Sequence, residues 1–239
     1  MTNLLNIDNS VSLFYSSFTA WSLVWIVLLV LPPGSRDVFT LYRLNFIHGI
    51  LCTIIAILAL YDYIPDRMAT SCTLSYFTID FINILLNDWV FHAKGYQNPA
   101  NRRMEYFHHI FCATLGFMSE FLYTDFCTFQ RNPFTELMFA ELSTPLLMIW
   151  RYYGESNDNN KKILAITTVG PLFAVVFFIA RIIYHGGYLI PACMSKCHYS
   201  VGYGFGIPYN LMNIYFIIMI ANKIFIKDRQ KLKQYYKKE

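Results

Sequence analysis

The sequence predicts an all-α, multi-pass membrane protein, and three observations support this fold class. Of its 239 residues, 56% are hydrophobic and only 14% are charged, whereas soluble domains usually contain about 25% charged residues. The hydrophobic residues form long runs, close to the roughly 20 residues that an α-helix needs to cross a bilayer. Lys and Arg residues concentrate on alternate connections between those runs. The sequence has no Gly-rich phosphate loop and no basic–aromatic surface, so nucleic-acid binding is not expected.

Seven hydrophobic runs approach the spanning length, and turn-forming residues separate them. The first run lacks the basic flank and cleavage site of a signal peptide, so we expect a retained span. Gly186, Gly187 and Pro191 predict the end of the sixth span, and Pro171 and Pro208 predict kinks or unwound turns. The predicted spans are Val11–Leu31, Leu41–Tyr61, Leu74–Phe91, Met104–Tyr123, Phe134–Tyr153, Ile163–Tyr184 and Val201–Ile226.

The basic residues predict the orientation of these spans. Fifteen Lys and Arg residues fall on one side of the array, including the C-terminal tail, and only Arg67, Arg131 and Lys196 fall on connections of the other side. Cytosolic connections of membrane proteins carry the excess of basic residues. We therefore expect the N-terminus outside and the C-terminus in the cytosol. Aromatic residues, at 18% of the chain, suit the two membrane interfaces.

Titratable and amide side chains recur at three- and four-residue spacing inside the predicted spans, so they share helix faces. Lipid cannot satisfy such groups, and we expect them to face one another around a cavity open to the cytosolic half of the membrane. An adjacent His pair beside carboxylates suits proton transfer, because His titrates near neutral pH. The candidate catalytic residues are Asp80, His108, His109 and Glu141, and the candidate substrate-binding residues are His48, Asn87, Asp88, Arg151 and Arg181.

Two plainer interpretations stay open at this stage. Single polar residues in membrane helices often serve only as interhelical hydrogen-bond partners, which applies best to His48. The cysteines near the outer connections, Cys72, Cys127, Cys193 and Cys197, fit thiols, one or two disulfides or, with His198, a zinc site. No metal is predicted at the His pair, because adjacent helical residues point about 100° apart and no second His pair exists.

Five blocks of the sequence, taken in chain order, are Arg43–Gly49, Ser75–Phe81, Tyr106–Ile110, Ala140–Leu147 and Ala180–Ile183. They resemble the TLC-domain family of membrane proteins, which includes ceramide synthases and TRAM proteins. Glu141 stands where the synthase pattern has an acidic residue, and Thr144 stands where it has a second Asp. The chain looks most similar to the small TLC-domain-containing proteins of the transmembrane-protein-136 type.

The resemblance implies a domain over residues 36–228, preceded by a span in residues 1–35 and followed by a basic tail at 229–239. It also implies a role in lipid metabolism or lipid homeostasis at the endoplasmic reticulum membrane. The enzymatic form of this hypothesis is acyl transfer from acyl-CoA to a lipid, without a bound cofactor, with Lys94, Arg102 and Arg103 attracting the CoA phosphates. The alternative is a lipid-binding or cargo adaptor without turnover. A membrane lipid is the expected partner, and a homo-oligomer is left open.

Overall fold

The computed structural model describes residues 2–30, 38–90, 99–121 and 133–236, and these residues form helices joined by short turns. No β-strand occurs within those ranges, so the all-α class is confirmed for the described chain. The helices are α1 (Thr2–Val30), α2 (Val38–Leu60), α3 (Asp66–Trp89), α4 (Pro99–Phe121), α5 (Pro133–Leu137), a 3₁₀ segment (Met138–Ser143), α6 (Thr144–Glu155), α7 (Asn159–Lys196) and α8 (residues 199–236). The chain divides into two compact units, Met1–Phe139 and Ala140–Glu239.

Among the described residues, five helical stretches are long and apolar enough to cross a membrane, as the prediction of a multi-pass membrane protein requires. The other two predicted spans do not join this set. Helix α4 opens with Arg102, Arg103 and Glu105, which lower its hydropathy, and residues 134–153 divide among α5, the 3₁₀ segment and α6. The number of seven spans therefore stays a prediction. The five stretches are Val11–Val30, Arg43–Leu60, Asp66–Leu86, Asn159–Lys196 and Gly202–Gln234.

Helix α3 forms the centre of the first unit and packs against α1, α2 and α4. The sequence predicts its start at Leu74, but the helix begins eight residues earlier at Asp66, directly after Pro65. Proline fits before a first helical turn, and the Asp66 carboxylate complements the helix dipole there. Two-thirds of the residues in the most apolar stretch of α3 are buried. The core around it contains Trp21, Leu28, Leu44, Tyr76, Phe77, Ile79 and Cys112.

The second unit is built from α6, α7 and α8. Its core centres on Trp150 of α6 and on Ala165, Phe173 and Phe177 of α7. Aliphatic and aromatic residues of α8 between Phe216 and Ile224 cover this cluster. In water-soluble proteins, removing such a large apolar side chain from water stabilises the fold by about 1.5–3 kcal/mol. Inside a membrane the surrounding lipid is itself apolar, so close packing between helices stabilises the core instead.

The sequence predicts a break at Gly186, Gly187 and Pro191, but helix α7 continues through these residues, so this prediction is wrong. The helix continues to Lys196 because π-helical segments at Ala165–Val169 and Phe178–Leu189 lead into α-helical turns that start just before Pro171 and Pro191. A proline removes one N–H donor and pushes away the carbonyl one turn earlier, and a widened turn accommodates both effects.

Helix α8 is likewise continuous through Pro208, where the sequence predicts a kink or an unwound turn. It consists of Tyr199–Asn222, a π-helical segment Lys223–Asp228 and a last part Arg229–Tyr236. Cys197 and His198 are the only residues between α7 and α8, so the two helices run antiparallel. Gly202 lies so close to α7 that a Cβ atom there would be 2.8 Å from Cα of Met194.

Candidate functional site

A buried His–Asp pair links α3 and α4 in the first unit. Nε2 of His109 lies 3.2 Å from Oδ2 of Asp80. Both residues are buried, with exposed fractions of 7% for His109 and 1% for Asp80. A carboxylate is costly to bury without donors around it, and here the imidazole supplies one. The structure therefore brings together two of the four predicted catalytic residues.

The pairing decides which nitrogen of His109 can act as a base. A neutral imidazole that donates Nε2–H to the Asp80 carboxylate carries its lone pair on Nδ1. Nδ1 is buried and has no hydrogen-bond partner among the described residues. The arrangement is that of a base oriented by a carboxylate, with the reactive nitrogen on the side away from the acid.

Tyr76 supports Asp80 from one turn earlier on α3. Its hydroxyl lies 3.2 Å from Oδ2 of Asp80 and also hydrogen-bonds with Oδ1 of Asn45 from α2. His48, one helical turn after Asn45 with a fully buried side chain, stacks on the Tyr76 ring with centroids 3.4 Å apart and planes 6° apart. His48 thus contributes to holding Tyr76, and its predicted role in substrate binding stays a prediction.

His108, the second member of the predicted His pair, is only partly buried. Its ring centroid lies 5.4 Å from that of His109 and 6.0 Å from that of Phe77. Sγ of Cys112, one turn later, lies 3.6 Å from Nδ1 and 3.9 Å from Nε2 of His108. These nearly equal distances place the sulfur beside the ring rather than along a nitrogen lone pair, so Cys112 does not orient His108 as Asp80 orients His109.

Two further polar residues of α3, Asn83 and Asp88, contact the neighbouring helices. Oδ1 of Asn83 accepts a hydrogen bond of 2.9 Å from the Trp25 indole of α1. Asp88 accepts one of 2.5 Å from the Tyr106 hydroxyl of α4. These contacts tie α3 to its two neighbours, and the substrate-binding role predicted for Asp88 stays a prediction. The side chain of Asn87 lies outside the described residues.

Glu141 and Arg181 form a buried ion pair in the second unit. Nη2 of Arg181 lies 3.4 Å from Oε1 of Glu141, and Nε donates to the backbone carbonyl of Ala140 at 3.3 Å. The Thr144 hydroxyl donates to Oε2 of Glu141 at 2.6 Å. Glu141 is therefore held by a cation and a hydroxyl of its own unit. Its predicted role as an orienting acid for the histidines stays a prediction.

The long π-helical segment of α7 carries a second buried pair. His185 lies one turn after Arg181, and its Nδ1 is 2.9 Å from the Tyr209 hydroxyl of α8. Asn213, one turn after Tyr209, is fully buried, and its amide has no hydrogen-bond partner among the described residues. Because α7 and α8 are antiparallel, Asn213 lies at the level of Arg181. The second unit thus has its own band of polar side chains.

Of the three basic residues predicted to attract the CoA phosphates, the structure describes the side chain of one. Arg103 is exposed at the start of α4, whereas Lys94 and the side chain of Arg102 lie outside the described residues. Arg151, predicted to bind substrate, is partly buried near the end of α6 and interacts electrostatically with Lys223 of α8. It belongs to the second unit, whereas His109 belongs to the first.

The cysteine alternatives are partly resolved. Cys197 forms a disulfide, so it does not supply a thiolate to the zinc site considered with Cys193 and His198. Cys52, Cys72, Cys112 and Cys193 are in the thiol form, and Cys127 lies outside the described residues. Within the described ranges, His, Cys, Asp and Glu side chains form no group of three or more that fits a metal ion.

Sequence reasoning misses the aromatic residues that enclose the His–Asp pair. Trp21, Tyr76 and Phe77 are buried in the core of the first unit rather than at a membrane interface. Phe77 places its ring 5.7 Å from that of His109. The only signal available in the sequence is that Tyr76 and Asp80 share a helix face, one turn apart. Comparisons of this chain with models of known protein families, with curated proteins and with solved structures give no match.

Proposed function

We propose that this chain is a TLC-type membrane protein of lipid metabolism at the endoplasmic reticulum, and that it transfers an acyl group from acyl-CoA to a lipid. The Asp80–His109 pair carries this proposal, because a buried carboxylate fixes the imidazole and leaves Nδ1 available as a base. The apolar helices that surround the pair suit an acyl-chain substrate. The family blocks quoted from the sequence support the same chemistry.

Each group has a defined task in the proposed reaction. The acceptor lipid attacks the thioester carbonyl through a hydroxyl or amine, while Nδ1 of His109 takes its proton. Asp80 stabilises the imidazolium that forms, and Tyr76 and Asn45 keep the carboxylate in place. The C–S bond then breaks, and the imidazolium returns the proton to the sulfur of CoA. His108, partly exposed beside the pair, contacts the incoming substrate.

The test is comparative lipidomics of cells that express the wild type or the His109→Ala or Asp80→Asn variant at matched levels. The wild type is expected to raise one lipid class, and each variant is expected to lose at least about a hundredfold in rate, the usual contribution of a general base. His198→Ala is the matched control, because His198 is exposed between α7 and α8. A lipid change that persists unaltered in His109→Ala contradicts the enzymatic proposal.

A lipid-binding or cargo adaptor without turnover is the second candidate. The burial of Asp80 and His109 favours it, because a catalytic pair must reach its substrate. For an adaptor, the His109→Ala and His198→Ala variants retain the same lipid profile as the wild type, and mixing purified protein with acyl-CoA releases no CoA. Release of CoA that depends on His109 rules out the adaptor.

A further inference from the structure

We propose that one end of the second unit binds the headgroup of an acidic phospholipid. This surface, here called the basic end, combines the last turns of α6, the first turn of α7 and the last third of α8. It contains eight basic residues and three acidic ones, Glu155, Asp158 and Asp228. Its basic residues are Arg151, Lys161, Lys162, Lys223, Lys227, Arg229, Lys231 and Lys233. The proposal does not depend on the acyl-transfer reaction.

The tertiary structure, rather than the sequence order, makes these residues neighbours. Residues 156–158 form the short turn between α6 and α7, and the shared core around Trp150 holds α8, as far as Ile224, against both helices. Arg151 and Lys231, eighty positions apart in the chain, both act electrostatically on the ammonium group of Lys223. Like charges held this close repel one another, so the surface is stabilised when an anion binds.

Lys223 is the fixed point of this surface. Its Nζ lies 3.3 Å above the centre of the Trp150 ring and 3.5 Å from Oδ2 of Asp228. The cation–π contact restricts the ammonium group at the boundary between the core and the surface. Asp228 is buried and offsets one positive charge. Arg151 and Lys231 provide the remaining charge, and the Arg guanidinium matches the oxygens of a phosphate.

The surroundings of the basic end indicate a lipid rather than a soluble polyanion. Exposed apolar side chains lie within a turn or two of the basic residues, namely Tyr152, Leu164, Phe225 and Ile226. A nucleic acid or an acidic protein would leave these side chains in water. A phospholipid satisfies both features at once, because its headgroup meets the basic residues and its acyl chains meet the apolar ones.

The experiment measures binding of dioctanoylphosphatidic acid to the purified full-length chain in neutral detergent. The Arg151→Gln/Lys223→Gln/Lys231→Gln variant is expected to bind roughly a hundredfold more weakly than the wild type, since each basic residue near an acidic lipid surface contributes about a fivefold factor in affinity. Lys196→Gln is the matched control, because Lys196 is an exposed lysine at the other end of α7. Equal affinity of the triple variant and the wild type overturns the proposal.

Two further measurements distinguish a lipid from a free phosphate and test whether charge drives the binding. Glycerol phosphate, which has the charge without the chains, is expected to bind far more weakly than the lipid, and equal binding assigns the site to a free phosphate instead. Raising the salt concentration should weaken lipid binding to the wild type, because added ions screen exposed charges. If the triple variant does not fold, affinity that is independent of salt in the wild type overturns the proposal by itself.

Discussion

A buried carboxylate requires donors, and two of the buried acids among the described residues, Asp80 and Glu141, obtain them in different ways. Asp80 is surrounded by neutral donors, the Tyr76 hydroxyl and the His109 imidazole. Glu141 has a permanent cation, Arg181, and the Thr144 hydroxyl. An imidazole can give up or take a proton near neutral pH, whereas a guanidinium does not. The Asp80 pair is therefore suited to proton transfer, and the Glu141 pair is suited to holding the 3₁₀ segment before α6 against α7.

This difference predicts how the Glu141–Arg181 pair responds to substitution. Glu141→Gln leaves the buried guanidinium of Arg181 without a counter-charge, and we expect the free energy of unfolding to fall by about 3–5 kcal/mol. The Glu141→Gln/Arg181→Met double variant should recover most of that loss, because no unpaired charge remains. Thermal unfolding in detergent measures both values.

Glu155→Gln serves as the control for that measurement, since Glu155 is an exposed acid at the end of α6, the helix that follows Glu141. Its substitution should change the free energy of unfolding by less than about 0.5 kcal/mol. A double variant no more stable than Glu141→Gln alone contradicts the ion-pair explanation, because the loss then comes from packing around Glu141.

At the scale of single elements, helix α7 shows how a membrane helix tolerates prolines. Its two π-helical segments lie immediately before the turns that contain Pro171 and Pro191. The longer segment also carries Arg181 and His185, both buried. A π turn adds a residue to the helix and rotates the side chains that follow it. The widened turns thus keep the helix unbroken while they set which residues face α8.

The close approach of α7 and α8 gives a prediction with a built-in control. Gly202→Ala places a Cβ atom 2.8 Å from Cα of Met194 and 2.9 Å from the carbonyl oxygen of Cys193, both backbone atoms that cannot move aside cheaply. We expect a loss of about 1–3 kcal/mol in the free energy of unfolding. Chemical denaturation followed by tryptophan fluorescence measures it.

Gly204→Ala, two residues further along the same helix, is the matched control. A Cβ atom there has nothing within 4 Å. Alanine favours the helix over glycine, so this variant should be as stable as the wild type or up to about 1 kcal/mol more stable. If both variants lose the same stability, the cause is the glycine backbone rather than the contact between α7 and α8.

At the scale of the whole molecule, the predicted topology assigns the two ends of α7 to opposite sides of the membrane. Cys197 lies on the side predicted to face away from the cytosol, and its disulfide agrees with an oxidising compartment there. The basic end, in contrast, lies on the side that the Lys and Arg count assigns to the cytosol. The orientation of the termini stays a prediction.

The orientation predicts a specific protection pattern. In sealed microsomes, an epitope tag on the C-terminus should be digested by added protease, and a tag on the N-terminus should be protected until detergent is added. This outcome requires an odd number of spans, and the predicted number, seven, is odd. Protection or digestion of both tags together shows an even number and contradicts the predicted topology. An N-terminal tag digested while the C-terminal tag is protected reverses it.

The sequence by itself determined the helical class, the membrane-spanning character and the polar face of α3, because hydrophobic run length and helical spacing are local properties. It also singled out His109 and Asp80. Two predicted span boundaries are wrong, and the hydropathy pattern does not contain the information that would correct them. The sequence predicts a start at Leu74 because polar residues precede it, and a break at Gly186 because glycine and proline are typical of turns. The π turns that accommodate Pro191 depend on packing, which the sequence pattern does not show.

The tertiary structure alone decided which side chains meet. Spacing places Asp80 and His109 on inward faces, but only the packing of α3 on α4 joins Nε2 to Oδ2. Likewise, only the packing of α6, α7 and α8 brings Arg151, Lys223 and Lys231 to one surface. The physical reason is that the pitch of a helix fixes the direction of each side chain, whereas the partner it reaches depends on contacts between segments far apart in the chain.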